Sequence, residues 1–411
     1  MPRIALHWQI LIAIVLGGVF GYWLPEQAGY VSWIGDLFMR LLKMVVIPLI
    51  FCSLVSAITG IRGNKLGRLA KKTVALYVLT TILAVCTGLL MVNLIRPGTG
   101  VDLHYDPDAL AASVHELTLR ETLLAMIPEN LFADLTAGNM VPVVAFAIIF
   151  GIFLARTRRE SENPQSSVET LIHCFEGGFE VMMKMTVFIL ALAPLGVFGI
   201  IAKNTSQFIS EGGAIAQLGQ GLGLHFLVVF SSLSIHMVIT LSLFILLSGC
   251  NPWKHLANMG AVILTCFSTA SSNGTLPLTI RDTVEKDGVS SEVAGFVLPL
   301  GATVNMNGTA LYECSVVLFI AQAYGIELTL YQQLVTVLMV LLTTVGVAGI
   351  PMASLVMIVI VLTAVGLPPE GIGLVIAVDR PLDMCRTVVN VYGDTCCAVI
   401  VAKSEGEELN V

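Results

Sequence analysis

Charge is scarce in this chain. Only 12% of its 411 residues are Asp, Glu, Lys or Arg, while 56% are apolar and the mean hydropathy is +0.88. A soluble core does not need so much apolar chain, and the balance predicts a polytopic membrane protein in contact with a lipid bilayer. The net charge of −7 carries no nucleic-acid signature, because the basic residues that cluster do so in short loops between apolar runs. Nine cysteines are scattered singly, apart from Cys396 and Cys397, without a CxxC pair, so buried free thiols are expected. No HExxH motif exists, since His115 and Glu116 continue as Leu117, Thr118 and Leu119. No GxGD motif exists either, because Val391 and Tyr392 precede Gly393 and Asp394. These absences argue against an enzyme, and no organic cofactor is expected. No small-residue cleavage site follows Leu24, so the apolar run Trp8 to Trp23 reads as a retained first helix.

The few charges are placed tellingly. Arg62, Lys65, Arg68, Lys71 and Lys72 follow the second apolar run, and Arg156, Arg158 and Arg159 follow the fourth, whereas the loop from 97 to 121 carries Asp102, Asp106, Asp108 and Glu116. Positive loops stay on the cytoplasmic side, which predicts a cytoplasmic N-terminus and a multi-pass protein of the cell (inner) membrane. Spanning helices are expected near 8–24, 31–59, 73–95, 170–203 and 220–249, each long enough for a hydrocarbon core of about 30 Å. A further one, within 122–156, should be segmented at Asn139, Pro142 and Gly151. His225 and His236 lie in the apolar sixth run and read as hydrogen-bonded packing residues.

The second half differs, because Ser, Asn, Gly and Pro interrupt its apolar runs at their centres. FSTASSNGTLP spans 267–277, NMNGT spans 305–309 and VGVAGIPMAS spans 345–354. The arms around the first and third breaks are about 15 residues or fewer, short of the roughly 20 that a span needs, and two re-entrant hairpins fit them. Non-helical backbone survives at membrane depth only where it is buried in protein or lines a polar cavity. Such tips and breaks are how secondary transporters commonly build a midplane site, although polar hairpins also line channels.

The last apolar run carries DRPLDMCRTVVNVYGD at 379–394, with Asp379, Arg380, Asp383, Arg386 and Asp394 inside it. Each charge at the centre of a spanning helix costs about 2.5–3.5 kcal/mol on insertion scales, so such residues mark a pathway for something charged. Asp383, Arg386, Thr387, Asn390 and Asp394 fall on one helical stripe. Arg386 offers a planar fork for a carboxylate and Asp383 an acceptor for an ammonium group, a pair that an acidic amino acid satisfies. The plainer alternative is that Asp383 and Arg386 neutralise each other at i, i+3. Asp379 and Arg380, a turn earlier, read as support.

With SSNGTLP at 271–277, LGATVNMNGTALYE at 300–313, AGIP at 348–351 and DMCRTVVNVYGD at 383–394 in this order, the chain resembles the dicarboxylate and amino acid:cation symporter family along essentially its whole length. The resemblance implies an all-α fold of eight transmembrane helices plus two re-entrant hairpins, the elevator-type glutamate transporter fold, assembled as a homotrimer. Residues 1–72 and 122–220 would be mainly scaffold. Residues 73–121 and 221–411 would be mainly transport domain, with hairpin 1 at about 254–285, a broken helix at 288–322, hairpin 2 at 327–364 and the last helix at 370–402. Its substrate shell implies Ser271, Ser272, Thr309, Ala348, Gly349, Ile350, Asp383, Arg386, Thr387 and Asn390. One sodium site would use Gly301, Asn305, Asn390 and Asp394, and a second, largely backbone site would use Thr303, Met306, Thr344, Val345 and Val347. A third would use Tyr77, Thr80 and Thr81.

This chain departs from the family pattern in that third site, where Asn307 replaces the usual Asp and weakens the attraction for sodium. Glu313 matches the position that carries a proton in some relatives, so sodium, protons or both are expected to drive uptake of aspartate or glutamate. A proton-coupled, sodium-independent carrier of these or of C4-dicarboxylates is the alternative. Relatives often place an arginine at the position of Ala270 or Met384; both are absent here, which predicts a missing supporting charge.

Overall fold

A computed structural model describes residues 6–59, 66–101, 127–137, 140–160, 167–210, 215–344 and 354–411. Every regular element among them is helical. The first group comprises α1 (Leu6–Trp23), α2 (Pro25–Thr59), α4 (Leu131–Ala137), α5 (Met140–Glu160), α6 (Ser167–Ala191) and α7 (Ala193–Ser210), with α3 (Leu66–Ile95) between α2 and α4 in sequence. Then come α8 (Ile215–Ile235), a π-helical turn (His236–Leu241) and α9 (Ser242–Leu247), which form one rod. The remainder is α10 (Pro252–Asn258), α11 (Gly260–Thr269), α12 (Ser272–Glu285), α13 (Ser291–Val304), α14 (Asn307–Ala323), α15 (Leu330–Thr344), α16 (Ser354–Ala364) and α17 (Ile372–Ser404).

Four helical stretches among the described residues are long and apolar enough to cross a membrane: Leu69–Ile95, Gln217–Leu247, Ser291–Ala323 and Pro369–Ser404. The last two are largely buried inside the protein, although they carry the polar breaks and charges. Buried apolar surroundings for a polar stripe require that the stripe be satisfied internally.

Two packing groups are evident. Helices α1, α2, α5, α6 and α7 pack mainly on one another, whereas α3, α8, α9, α11 to α13, α15 and α16 pack around α14 and α17. In the first group small residues let the backbones meet: a Cβ on Gly17 would lie 2.8 Å from the Phe198 carbonyl, and one on Gly35 2.9 Å from the Ile200 amide. Phe51, Phe146, Phe150 and Phe175 form a ring cluster joining α2, α5 and α6, with neighbouring centroids 5.6–6.1 Å apart. Trp23, Tyr30 and Trp33 are exposed on the same group, as residues anchoring a membrane interface are.

Local chemistry sets the boundaries in the second group. Asn251 accepts from the Trp253 and Lys254 amides and Pro252 opens α10, an N-cap followed by proline at the first helical position. Ala270, left-handed at φ 48, ends α11, and Ser271 Oγ accepts from the Gly274 amide to start α12. This pair of caps makes the turn between α11 and α12. Asn305 and Met306 leave helical geometry between α13 and α14, so the break expected at NMNGT is present.

Several expectations are corrected. The run at 170–203 is not one helix, because α6 and α7 bend by 56° around Leu192. Gly151 and Pro142 do not segment the region before it, since α5 runs unbroken from Met140 to Glu160; Pro142 sits in its first turn, where no intrahelical donor is needed. Asn139 lies outside the described residues. The sixth run contains a π-helical turn that periodicity did not predict. His225 and His236 are buried, yet neither makes a hydrogen bond among the described residues. His225 is instead held by stacking on Phe319, with ring centroids 4.4 Å apart. The cysteines are free, with Cys86 and Cys174 exposed rather than buried.

A buried polar bolt joins α10 and the turn after α12 to α17. His255 Nδ1 lies 2.8 Å from Asp287 Oδ2 and its Nε2 3.1 Å from Thr395 Oγ1, while Asn258 Nδ2 donates to Asp287 Oδ1 at 2.8 Å. All but Asn258 are fully buried. His255→Ala leaves Asp287 and Thr395 short of a partner and is expected to lower unfolding stability by about 3 kcal/mol. Thermal or denaturant unfolding in detergent measures it, and a loss of only a few tenths would mean that the bolt is not formed.

Candidate functional site

The polar stripe of α17 is buried between α3, α11, α13 and α14. Arg386 is 1% exposed, and its guanidinium carbon stands 3.9 Å above the centroid of the Tyr312 ring. Its Nη2 donates to Asp383 Oδ1 at 2.7 Å and lies 3.2 Å from Asp379 Oδ1, an ion pair without hydrogen-bond geometry. The i, i+3 pairing of Asp383 and Arg386 is therefore real. It does not exhaust the guanidinium, because Nε and Nη1 are buried without a hydrogen-bond partner among the described residues. Buried donors of this kind are costly to leave unmade and fit an incoming anion. Thr387 Oγ1 donates to the Asp383 carbonyl at 2.9 Å.

One turn further, Asn390 reaches across to the helix break. Its Oδ1 accepts from the amides of Gly308 and Thr309 at 2.7 and 3.3 Å, and its Nδ2 donates to Thr309 Oγ1 at 3.0 Å and meets Met306 Sδ at 3.3 Å. Asn390 is thus an N-cap for α14 supplied by another helix. Gly308 makes this approach feasible, since a Cβ there would lie 2.7 Å from the Arg386 carbonyl.

A second cluster of oxygens lies beyond Asn390. Asp394, 2% exposed, accepts from Asn305 Nδ2 at 2.8 Å, and Thr80 Oγ1 lies 3.4 Å from Asn305 Oδ1. Thr81 Oγ1 is 2.7 Å from Asn307 Oδ1, and the Tyr77 hydroxyl donates to the Val297 carbonyl at 2.7 Å. Gly301 closes the cluster: a Cβ there would fall 2.5 Å from Asp394 Oδ1 and 2.8 Å from the Tyr77 hydroxyl. Hard neutral oxygens around one carboxylate suit a hard cation.

The sodium:dicarboxylate symporter family model matches residues 6–404. The chain belongs to this family. It is 34% identical to a proton/sodium-glutamate symport protein of Bacillus caldotenax, over 99% of this chain and 96% of the relative. It is 33% identical to a proton/glutamate-aspartate symporter of Escherichia coli (strain K12), over 98% of this chain and 93% of the relative. A C4-dicarboxylate transport protein of Deinococcus deserti is 31% identical, over 98% and 91% respectively.

In this symporter-family chain, Tyr77, Thr80, Thr81, Gly301, Asn305, Asn307, Gly393 and Asp394 converge, as do Met306, Thr309 and Asn390. Ser271 caps α12 and Ser272 opens it, with Ser272 buried. Thr303 Oγ1 donates to the Leu300 carbonyl, and Thr344, the last residue of α15, donates to the Val340 carbonyl. Ala348, Gly349 and Ile350, together with Val345 and Val347, lie outside the described residues. Glu313 is fully buried, and neither of its oxygens makes a hydrogen bond of normal geometry among the described residues. Tyr312, the aromatic bed of Arg386, carries no charge or break that marks it in the sequence; its place beside Glu313 is the one signal there. Ala270 and Met384 bring no charge to the site, and Arg380 Nη1, from α17 itself, lies 3.4 Å from Asp383 Oδ2.

Proposed function

We propose that the chain is a secondary symporter that takes up glutamate and aspartate together with a cation. The observation that carries this is the buried Arg386–Asp383 pair, whose guanidinium retains two nitrogens without a hydrogen-bond partner among the described residues, one helical turn from the Asn390 cap. Arg386 would take the substrate's side-chain carboxylate, Asp383 its amino group, and Thr309, Thr387 and Asn390 would complete the shell. Ser271, Ser272 and the second hairpin at Ala348 to Ile350 would close on the main-chain carboxylate. Relatives named as glutamate and glutamate-aspartate symporters support the substrate class.

Asp394, Asn305 and Gly301 are the strongest cation ligands here, and Tyr77, Thr80, Thr81 and Asn307 form a weaker neighbour that lacks the formal charge. Glu313 is the proton carrier: it is a fully buried carboxyl, and a charge without full compensation in a dry interior is costly. The arrangement we favour has eight spans, two re-entrant hairpins and a homotrimer in the cell membrane with a cytoplasmic N-terminus. The α14–α17 group, within 73–121 and 221–411, would slide as an elevator against a scaffold drawn from 1–72 and 122–220. A C4-dicarboxylate carrier is the second reading, supported by the Deinococcus relative.

Uptake of labelled aspartate into proteoliposomes under separately imposed sodium and pH gradients tests this. Saturable accumulation above equilibrium is expected with at least one gradient. If neither drives accumulation, symport is wrong, and a non-saturating passive flux would indicate a channel. Glu313→Gln is expected to abolish accumulation driven by the pH gradient while leaving exchange of internal for external aspartate intact. Undiminished pH-driven accumulation in that variant would remove Glu313 from proton transport.

A further inference from the structure

Arg380 lies three residues before Asp383 on α17 and reaches the same carboxylate as Arg386 does. Its Nη1 is 3.4 Å from Asp383 Oδ2, while Arg386 Nη2 holds Asp383 Oδ1 at 2.7 Å, so each oxygen of this carboxylate faces a different guanidinium. The Arg380 side chain is only 19% exposed, and its Nε is buried without a hydrogen-bond partner among the described residues. An arginine that gives up hydration to this degree for one long contact is poorly repaid by that contact alone. Its charge acts on whatever occupies the space beside Asp383.

On the footing that the α17 stripe is the substrate site, we propose that Arg380 determines how strongly the site demands an amino group. Asp379, Arg380, Asp383 and Arg386 sum to zero charge, with both cations adjoining the one carboxylate assigned to the ammonium. A third cation brought to Asp383 as a substrate ammonium is repelled by both guanidinium groups, so the amino group contributes less to binding than it would at a carboxylate flanked by one. A four-carbon dicarboxylate without the amino group loses correspondingly little. Arg380 therefore narrows the gap between aspartate and succinate, and it does so without contributing to the carboxylate fork, which is Arg386.

The test is competition against labelled aspartate uptake in proteoliposomes, with aspartate and succinate as competitors, for the full chain and its Arg380→Gln and Arg380→Lys variants. Arg380→Gln is expected to raise the preference for aspartate over succinate by about tenfold, the scale of removing one nearby charge. Arg380→Lys, which keeps the charge, should stay near the wild-type ratio. An unchanged ratio in Arg380→Gln, or a shift toward succinate, overturns the role of Arg380. Arg380→Met, which keeps the long apolar stem, carries the same test where the glutamine variant does not fold. Failure of the site itself looks different: wild-type protein would then show no saturable aspartate uptake, or Arg386→Ala would leave it intact.

Discussion

Arg386→Ala is expected to reduce the uptake efficiency for aspartate and glutamate by about 100-fold or more. Removing one partner of a buried, hydrogen-bonded charge pair costs about 2–5 kcal/mol, and each 1.4 kcal/mol is tenfold. The loss has two parts. The substrate carboxylate loses its fork, and Asp379 and Asp383 lose the cation 3.2 and 2.7 Å away from them. The second part penalises every substrate, whereas the first falls only on those with a side-chain carboxylate. Competition by alanine or serine should consequently be damaged less than competition by aspartate. Equal losses would mean that Arg386 stabilises the stripe and does not read the substrate. Arg386→Lys is no remedy, because a point charge cannot reproduce a planar fork held over the Tyr312 ring.

Asp394→Asn should have the next largest effect, on the cation and not on the substrate. Asp394 is the one formal negative charge among Tyr77, Thr80, Thr81, Gly301, Asn305 and Asn307, so its removal takes most of the attraction for a cation from that cluster. The concentration of sodium needed for half-maximal stabilisation of the purified protein is expected to rise on the order of tenfold or more. Thermal unfolding in sodium chloride against choline chloride measures this directly. Asn307→Asp is the reciprocal change: it adds a carboxylate 2.7 Å from Thr81 Oγ1 and is expected to strengthen the sodium response. A wild-type sodium shift in Asp394→Asn would move the cation elsewhere.

The fold was most legible where polar residues interrupt apolar runs, because a break at membrane depth has to be chemically satisfied. NMNGT gave the break between α13 and α14, and FSTASSNGTLP the turn between α11 and α12. The stripe from Asp383 to Asp394 was legible for the same reason, being charged where charge is costly. What escaped was decided by packing. The bend at Leu192 and the π-helical turn at His236 leave the apolar composition unchanged, so periodicity does not reveal them. Gly151 was read as a break, yet a glycine inside an apolar helix equally serves close packing, here against Ile58. The long-range partners were also invisible: nothing in the sequence alone joins His255 to Thr395, or Tyr312 to Arg386. Arg380 was seen but valued only as support, because its distance to Asp383 depends on rotamers.

Asn390 also bears on timing. The first turn of α14 has no side-chain cap of its own; the Gly308 and Thr309 amides rely on an oxygen borrowed from α17. A cation or substrate that draws on that same oxygen must share it with these amides or release them. Occupancy of the site and integrity of the broken helix are thus linked through one carboxamide, and amide exchange at Gly308 and Thr309 would report filling of the site as directly as any measurement on the ligand.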